Sequence, residues 1–146
     1  MESNCVFCRI IAHQAPGHIV FEDEQSIAIL DLFPANPGHT LVMPKQHFSL
    51  LGETPAEELH HAIQVVQKVG PAVQHAFHAQ GYNVLVNNGS AAGQLVPHIH
   101  FHIVPRTIND GKKFEWPRGE SNQNELAEAC NRIQQQLQKK TIPAPQ

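Results

Sequence analysis

Apolar positions along this chain follow two periods, and the boundaries between them outline the elements. Phe7 to Ala12 reads as a short helical turn. "HIVFE" and "SIAILD", parted by the polar "DEQ", predict a β-hairpin. "PANPGH" is punctuated by proline and glycine as a loop is, and "HTLVMP" from His39 predicts a third strand that Pro44 ends. Thr54-Pro55-Ala56-Glu57 then predicts a helix start, with Thr54 as cap, Pro55 in the first turn and Glu57 completing a capping box. Leu59, Ile63, Val66, Val73 and Phe77 recur near the 3.6 period. Gly70-Pro71 predicts a kink in that helix and Gly81 its stop. "YNVLV" predicts a fourth strand, "NNGSAAG" a glycine-rich loop, and "VPHIHFHIVPR", residues 96–106, a fifth strand.

After Arg106 the pattern turns polar and irregular. A last helix is expected from Asn122, capped with Glu125 and carrying Leu126, Ala129, Ile133 and Leu137 on one stripe. "TIPAPQ" reads as a frayed tail. The expectation is one α+β domain over residues 1–146: a core to about residue 110 with a mainly antiparallel five-stranded sheet and flanking helices, then a C-terminal segment.

Composition narrows the function classes. With 146 residues, 16% of them charged, and a formal net charge of -3, the chain lacks the basic surface of a general nucleic-acid binder. No apolar run reaches the length of a membrane span, and "MESNCVFCRI" has no export-signal layout, so a cytoplasmic protein is expected. The odd cysteine count (Cys5, Cys8 and Cys130) fits a reducing compartment and leaves Cys5-x-x-Cys8 as a metal pair or as plain thiols. The eleven histidines outnumber the ten lysines and arginines. His13, His60, His61, His75 and His78 read as surface residues without chemistry.

His98, His100 and His102 are different. On a strand they share a face, with rings starting roughly 6.6 Å apart, while Ile99, Phe101 and Ile103 turn to the core. Such a row can surround one metal or line a groove for a phosphate. The upstream loop favours the phosphate: Gly89 and Gly93 let amides approach an anion, and Asn87 and Gln94 add side-chain donors.

The run "GQLVPHIHFHIVPR" resembles the histidine-triad (HIT) family of nucleotide hydrolases and transferases. The likeness extends upstream through "CVFCRIIAHQAPGHIVFEDEQSIAILD" and "NPGHTLVMPKQH", and "WPRG" at Trp116 resembles the C-terminal segment of the purine nucleoside phosphoramidase branch. The resemblance implies a purine nucleotide substrate and His100 as the nucleophile at its α-phosphate. It implies His102, His39, Asn87, Gln94 and the Leu95 amide around phosphate or leaving group, and Asp31 on the ribose hydroxyls. Phe7, Ile10, Ile29, Leu32 and Leu41 match the walls of its nucleobase cleft. Leu95 departs from the pattern, standing where phosphoramidase-like members often carry a hydroxyl residue. Several bacterial members hold a structural zinc at positions that match Cys5, Cys8, His47 and His98. A homodimer with a sheet continued across both protomers is implied, with Trp116 reaching the partner's site; no organic cofactor is. Two rivals stand beside this reading: a metal-dependent hydrolase using all three triad histidines, and a nucleotide-binding module without turnover.

Overall fold

The computed structural model describes residues 4–139. The chain divides into two compact units, residues 1–111 and 112–146. The first contains α1 (Val6–Ile11), β1 (Ile19–Glu22), β2 (Ser26–Leu30), β3 (Thr40–Pro44), α2 (Ala56–Ala76), β4 (Gly81–Val86) and β5 (Phe101–Arg106). The five strands form one sheet in the order β1-β2-β3-β5-β4, and every neighbouring pair is antiparallel.

The sheet is covered on both faces. Ile27, Ile29, Leu41 and Met43 bury against α1, while Ala28, Val42, Phe101 and Ile103 bury against α2. This is why "SIAIL" and "TLVMP" read as nearly continuous apolar runs and not as alternating ones. The β1–β2 turn is closed by Asp23, whose Oδ1 accepts from the amides of Gln25 and Ser26 at 2.9 and 2.8 Å. His61 on α2 reaches Asp23 Oδ2 at 2.8 Å, which ties that helix to the hairpin.

Helix α2 departs from expectation at several points. Its N-cap is Pro55 without a side-chain bond, and the Thr54 hydroxyl donates backwards to Leu50 O at 2.8 Å. The buried stripe is Ala62, Val65, Val66, Val69 and Val73; Ile63 (47% exposed) and Phe77 (45%) lie off it. Val66 and Val73 of the periodic set are on the stripe, and close helix–sheet packing adds the small Ala62, Val65 and Val69 in place of Ile63 and Phe77. Pro71 lies inside the helix, which continues to Ala76. A Cβ at Gly70 would stand 2.7 Å from the Tyr82 ring, so this glycine serves a close approach to β4. The helix ends before Gly81, with His78 taking up the left-handed turn at φ 50°.

The fifth strand is shorter than expected. Only Phe101–Arg106 is ladder; residues 96–100 are irregular. Pro97 has no amide hydrogen, His98 N–H turns back to Val96 O at 2.8 Å, and Ile99 N–H donates to Phe48 O at 2.7 Å.

In the second unit, α3 (Gln123–Gln138) has the expected capping box, with Asn122 and Glu125 exchanging 3.0 Å bonds. None of its residues is buried. The expected frayed tail at 141–146 lies outside the described residues.

Candidate functional site

Four ligand-type side chains meet under the N-terminus of α1. Cys5 caps that helix, Cys8 lies one turn on, His47 follows β3, and His98 comes from the segment before β5. Their ligand atoms all lie within 4.8 Å of one another. Cys5 Sγ is 3.6 Å from His98 Nδ1, and Cys8 Sγ is 3.4 Å from His47 Nδ1 and 3.7 Å from His98 Nδ1. A tetrahedral zinc with its usual bond lengths separates a sulfur and a nitrogen ligand by roughly 3.5 Å. His98 Nε2 sits 2.8 Å from Pro44 O. A carbonyl only accepts, so Nε2 carries the proton and Nδ1 turns its lone pair to the sulfurs, as a metal ligand requires. Burial pushes His98 down to about 4, which keeps the ring neutral, and burial raises the Cys5 thiol, a penalty that a bound cation reverses. The donor set and its spacing fit a closed Cys₂His₂ zinc.

Beside this cluster lies a cavity of about 310 Å³. Phe7, Ile29, Leu32 and Leu41, four of the five positions that the resemblance matched to a cleft wall, line it with Asp31, His100, His102 and Leu95. Ile10 does not: it is buried in the α1 core, next to Gly17. Val6, Leu30, Phe33 and Val96 line the cavity without having been expected. Phe33 is 89% exposed, and an aromatic opening the proline- and glycine-punctuated loop "FPANPG" was the signal that could have found it.

Three imidazoles have their protons fixed by neighbours. His100 Nδ1 lies 2.6 Å from His98 O, so Nδ1 carries the hydrogen and Nε2 holds the lone pair. The Ala35 amide donates to His39 Nδ1 at 3.0 Å. A neutral His39 therefore has its proton on Nε2, which stands 2.9 Å from His102 Nδ1. That bond leaves the His102 proton on Nε2. Burial lowers the pKa of His39 and of His100, and pushes His102 down to about 4, so all three rings are neutral near pH 7.

Asp31, His39 and His102 also lie within metal-ligand distance of one another. With Nδ1 of His39 accepting from Ala35 and its Nε2–H committed to His102, His39 has no lone pair left to give. The three triad rings likewise do not converge, since His98 turns Nδ1 to the cysteines and Nε2–H to Pro44.

The loop before the triad is held from within. Gln94 Oε1 accepts from Gly89 N–H at 2.8 Å and its Nε2 donates to Ser49 O at 2.7 Å, so this side chain braces the loop. The Asn87 amide lies beside Gly93, where a Cβ would be 3.7 Å from its Nδ2. Gly93 itself is left-handed at φ 92°. Asp31 Oδ1 accepts the Phe33 amide at 2.8 Å, and Oδ2 is 3.6 Å from His39 Nε2. The loop between β2 and β3 is pinned by Asn36, which donates to Pro105 O and Asp110 Oδ2 at 2.9 Å. Arg106 in turn holds Asp110 through its Nε at 2.7 Å.

Comparison with known proteins agrees with this geometry. The HIT domain model matches residues 12–109. An uncharacterized HIT-like protein of Methanocaldococcus jannaschii is 42% identical over 129 residues, covering 88% of this chain and 98% of that one. The adenosine 5'-monophosphoramidase HNT1 of Saccharomyces cerevisiae is 35% identical over 127 residues, covering 86% of this chain and 78% of its own. The crystal structure of a zinc-bound histidine triad family protein from Mycobacterium smegmatis superposes with a TM-score of 0.73 at 38% identity, over 92% of this chain and 95% of the other. The matched residues take in all five strands and all three triad histidines, and the chain belongs to the HIT domain family.

Proposed function

We propose that this protein is a nucleotide hydrolase and nucleotidyl transferase that cleaves at the α-phosphate of a purine nucleotide through a covalent nucleotidyl-His100. The observation that carries the reading is the 2.6 Å bond from His100 Nδ1 to His98 O, which leaves Nε2 as an uncharged nucleophile beside the cavity that His100 lines. Attack by Nε2 makes an N-phosphoryl imidazolium, a good leaving group that water then displaces. His102 Nε2–H, the Asn87 amide and the Leu95 backbone N–H donate to the phosphate oxygens, and His39 keeps the His102 proton on the outer nitrogen. Asp31 receives the ribose hydroxyls, and Phe7, Ile29, Leu32 and Leu41 enclose the base. Phosphoramidates and dinucleoside polyphosphates are the two substrate types in question, and the relative named as a monophosphoramidase favours the first.

Cys5, Cys8, His47 and His98 would hold a structural zinc, which pins α1 to the residue whose carbonyl orients the nucleophile. No described helix is long and apolar enough to cross a membrane. Cys5 and Cys8, close together and not joined in a disulfide, suit a reducing, cytoplasmic setting. β4 is a sheet edge with Val84 43% exposed, which suits continuation of the sheet into a second protomer. Trp116, also exposed, is the candidate to reach the partner's site.

Quenching a reaction with α-labelled nucleotide should leave label on His100. Turnover without any phospho-histidine, stripped by chelator and restored by metal, would favour the metal-dependent rival. Tight AMP binding with no product from any substrate would favour the non-catalytic one.

A further inference from the structure

The loop between β2 and β3 is irregular, and its Pro34 and Pro37 have no amide hydrogen to anchor it. Its Ala35 amide is nonetheless the group that sets the tautomer of His39. The place of that amide is fixed by the next residue. Asn36 O accepts from His39 N–H at 3.0 Å, and Asn36 Nδ2 donates to Pro105 O and to Asp110 Oδ2, both at 2.9 Å. Asp110 stands after β5 in a turn closed by its own amide on Thr107 O at 3.2 Å, with Asn109 left-handed at φ 66°. Arg106 grips both carboxylate oxygens, Nε on Oδ2 at 2.7 Å and Nη2 on Oδ1 at 3.1 Å, and its Nη1 donates to Asn83 Oδ1 at 2.8 Å. The Asp110 side chain is 10% exposed and that of Arg106 23%, so water competes little for these bonds. The bonds run in a ring that leaves β5 at Arg106 and returns to it at His102, by way of Asp110, Asn36, Ala35 and His39. Neither Asp110 nor Arg106 lines the cavity with His100 and His102.

We propose that Asp110 and Arg106 are positioning residues for the reaction: they hold Asn36, and with it the Ala35 amide that fixes the proton of His39. This rests on the hydrolase reading above. With Ala35 N–H on His39 Nδ1, the His39 proton lies on Nε2 and faces His102 Nδ1. Once Asn36 loses its anchor, the Ala35 amide slips away and His39 can carry its hydrogen on Nδ1 instead. His39 Nε2 then accepts, and its bond to His102 survives only when His102 Nδ1 donates. The one proton of His102 is then on the inner nitrogen, and none is left on Nε2 for the phosphate. Neither ring changes charge. A carboxylate outside the cavity thereby governs a donor inside it.

The experiment reads steady-state kinetics with adenosine phosphoramidate beside imidazole nitrogen NMR of the substrate-free protein. Asp110→Ala should lower kcat about tenfold with KM within about twofold of wild type. Its His39 and His102 nitrogen signals should move towards those of mixed tautomers, with His98 and His100 unmoved. Asp110→Asn, which keeps one oxygen for Asn36, should recover kcat to within about threefold of wild type. Where Asp110→Ala fails to fold, Arg106→Lys takes its place: it keeps the charge, gives up the two-point grip, and should show the same signal shift with kcat about threefold lower. His61→Ala, which cuts the tie between α2 and the hairpin, should lower the melting temperature with kcat and the His39 signals unchanged. Unchanged kcat, a loss confined to KM, or unmoved His39 signals in the folded variant overturns the assignment while leaving the hydrolase intact, as does an equal loss of kcat in His61→Ala. Absence of turnover and of label on His100 in wild type sinks the hydrolase reading, and the positioning role with it.

Discussion

Both ring nitrogens of His98 are taken, Nε2 by Pro44 O at 2.8 Å and Nδ1 by the sulfurs of Cys5 and Cys8 at 3.6 and 3.7 Å. Two positions further on, His100 commits only Nδ1, to the carbonyl of His98 at 2.6 Å, and its Nε2 is left for the cavity it lines. The same side chain on the same segment thus closes one centre and opens the other. What differs is where a carbonyl stands relative to each ring. It takes the distal nitrogen's proton in His98 and the proximal one's in His100, so the lone pairs point to different partners. The two regions are also mechanically linked, because His98, one of the four residues of the Cys/His cluster, supplies the carbonyl that orients the ring of His100, the proposed nucleophile.

The comparison breaks first at His100. His100→Gln should lower turnover at least about 10³-fold with bound zinc unchanged, measured as kcat and by elemental analysis. Loss of metal in that variant would mean that the two centres are one. His98→Ala should do the reverse in order of cause. It should lose zinc, lower stability by about 3 kcal/mol or more in denaturant titration, and lose turnover as a consequence. A metal-free His98→Ala protein with full activity would show that the cluster does not support the nucleophile.

Next in size is the relay. His39→Gln should cost about 10² in kcat, more than in KM, since it removes the donor that keeps the His102 proton on Nε2. Asn36→Ala, which frees the loop carrying the Ala35 amide, should cost roughly tenfold in the same direction. An effect confined to KM would assign both residues to binding.

The smallest effect is acid sensitivity. The unfolded His102 ring titrates near its ordinary 6.5, and in the fold burial brings it to about 4. Between these values the unfolded chain binds more protons, so the stability from this ring is complete above about 6.5 and is lost as pH falls through about 4. With screening by the water that still reaches the ring, about 1–2 kcal/mol is at stake. Histidine-selective NMR should place the His102 midpoint near about 4, and a midpoint at the ordinary value would remove the neutral relay.

Much of this was legible in the chain. The hairpin around Asp23, the strand at "TLVMP", the capping box at Asn122 and Glu125, and the meeting of Cys5 and Cys8 with His47 and His98 all follow from local chemistry or from the resemblance. The misses share a cause. Ile63 and Phe77 were expected on the apolar stripe because they recur near the helical period, and Ile10 in the cleft wall because the resemblance placed it there. Yet which of several apolar neighbours is buried, and against what, depends on how far apart α2 and the sheet settle.

The sequence by itself determined the antiparallel α+β sheet, through local periodicity and turn chemistry, and its motifs carried the resemblance to the family from which the candidate reactive residues were taken. Only the tertiary structure decided which nitrogen of each imidazole carries the proton, that Gln94 braces its own loop, and that Leu95 lines two cavities. Those outcomes depend on carbonyls and amides contributed by segments distant in sequence, such as Pro44 for His98 and Ser49 for Gln94. Hydrogen-bond direction is set by that long-range geometry and has no counterpart in residue order.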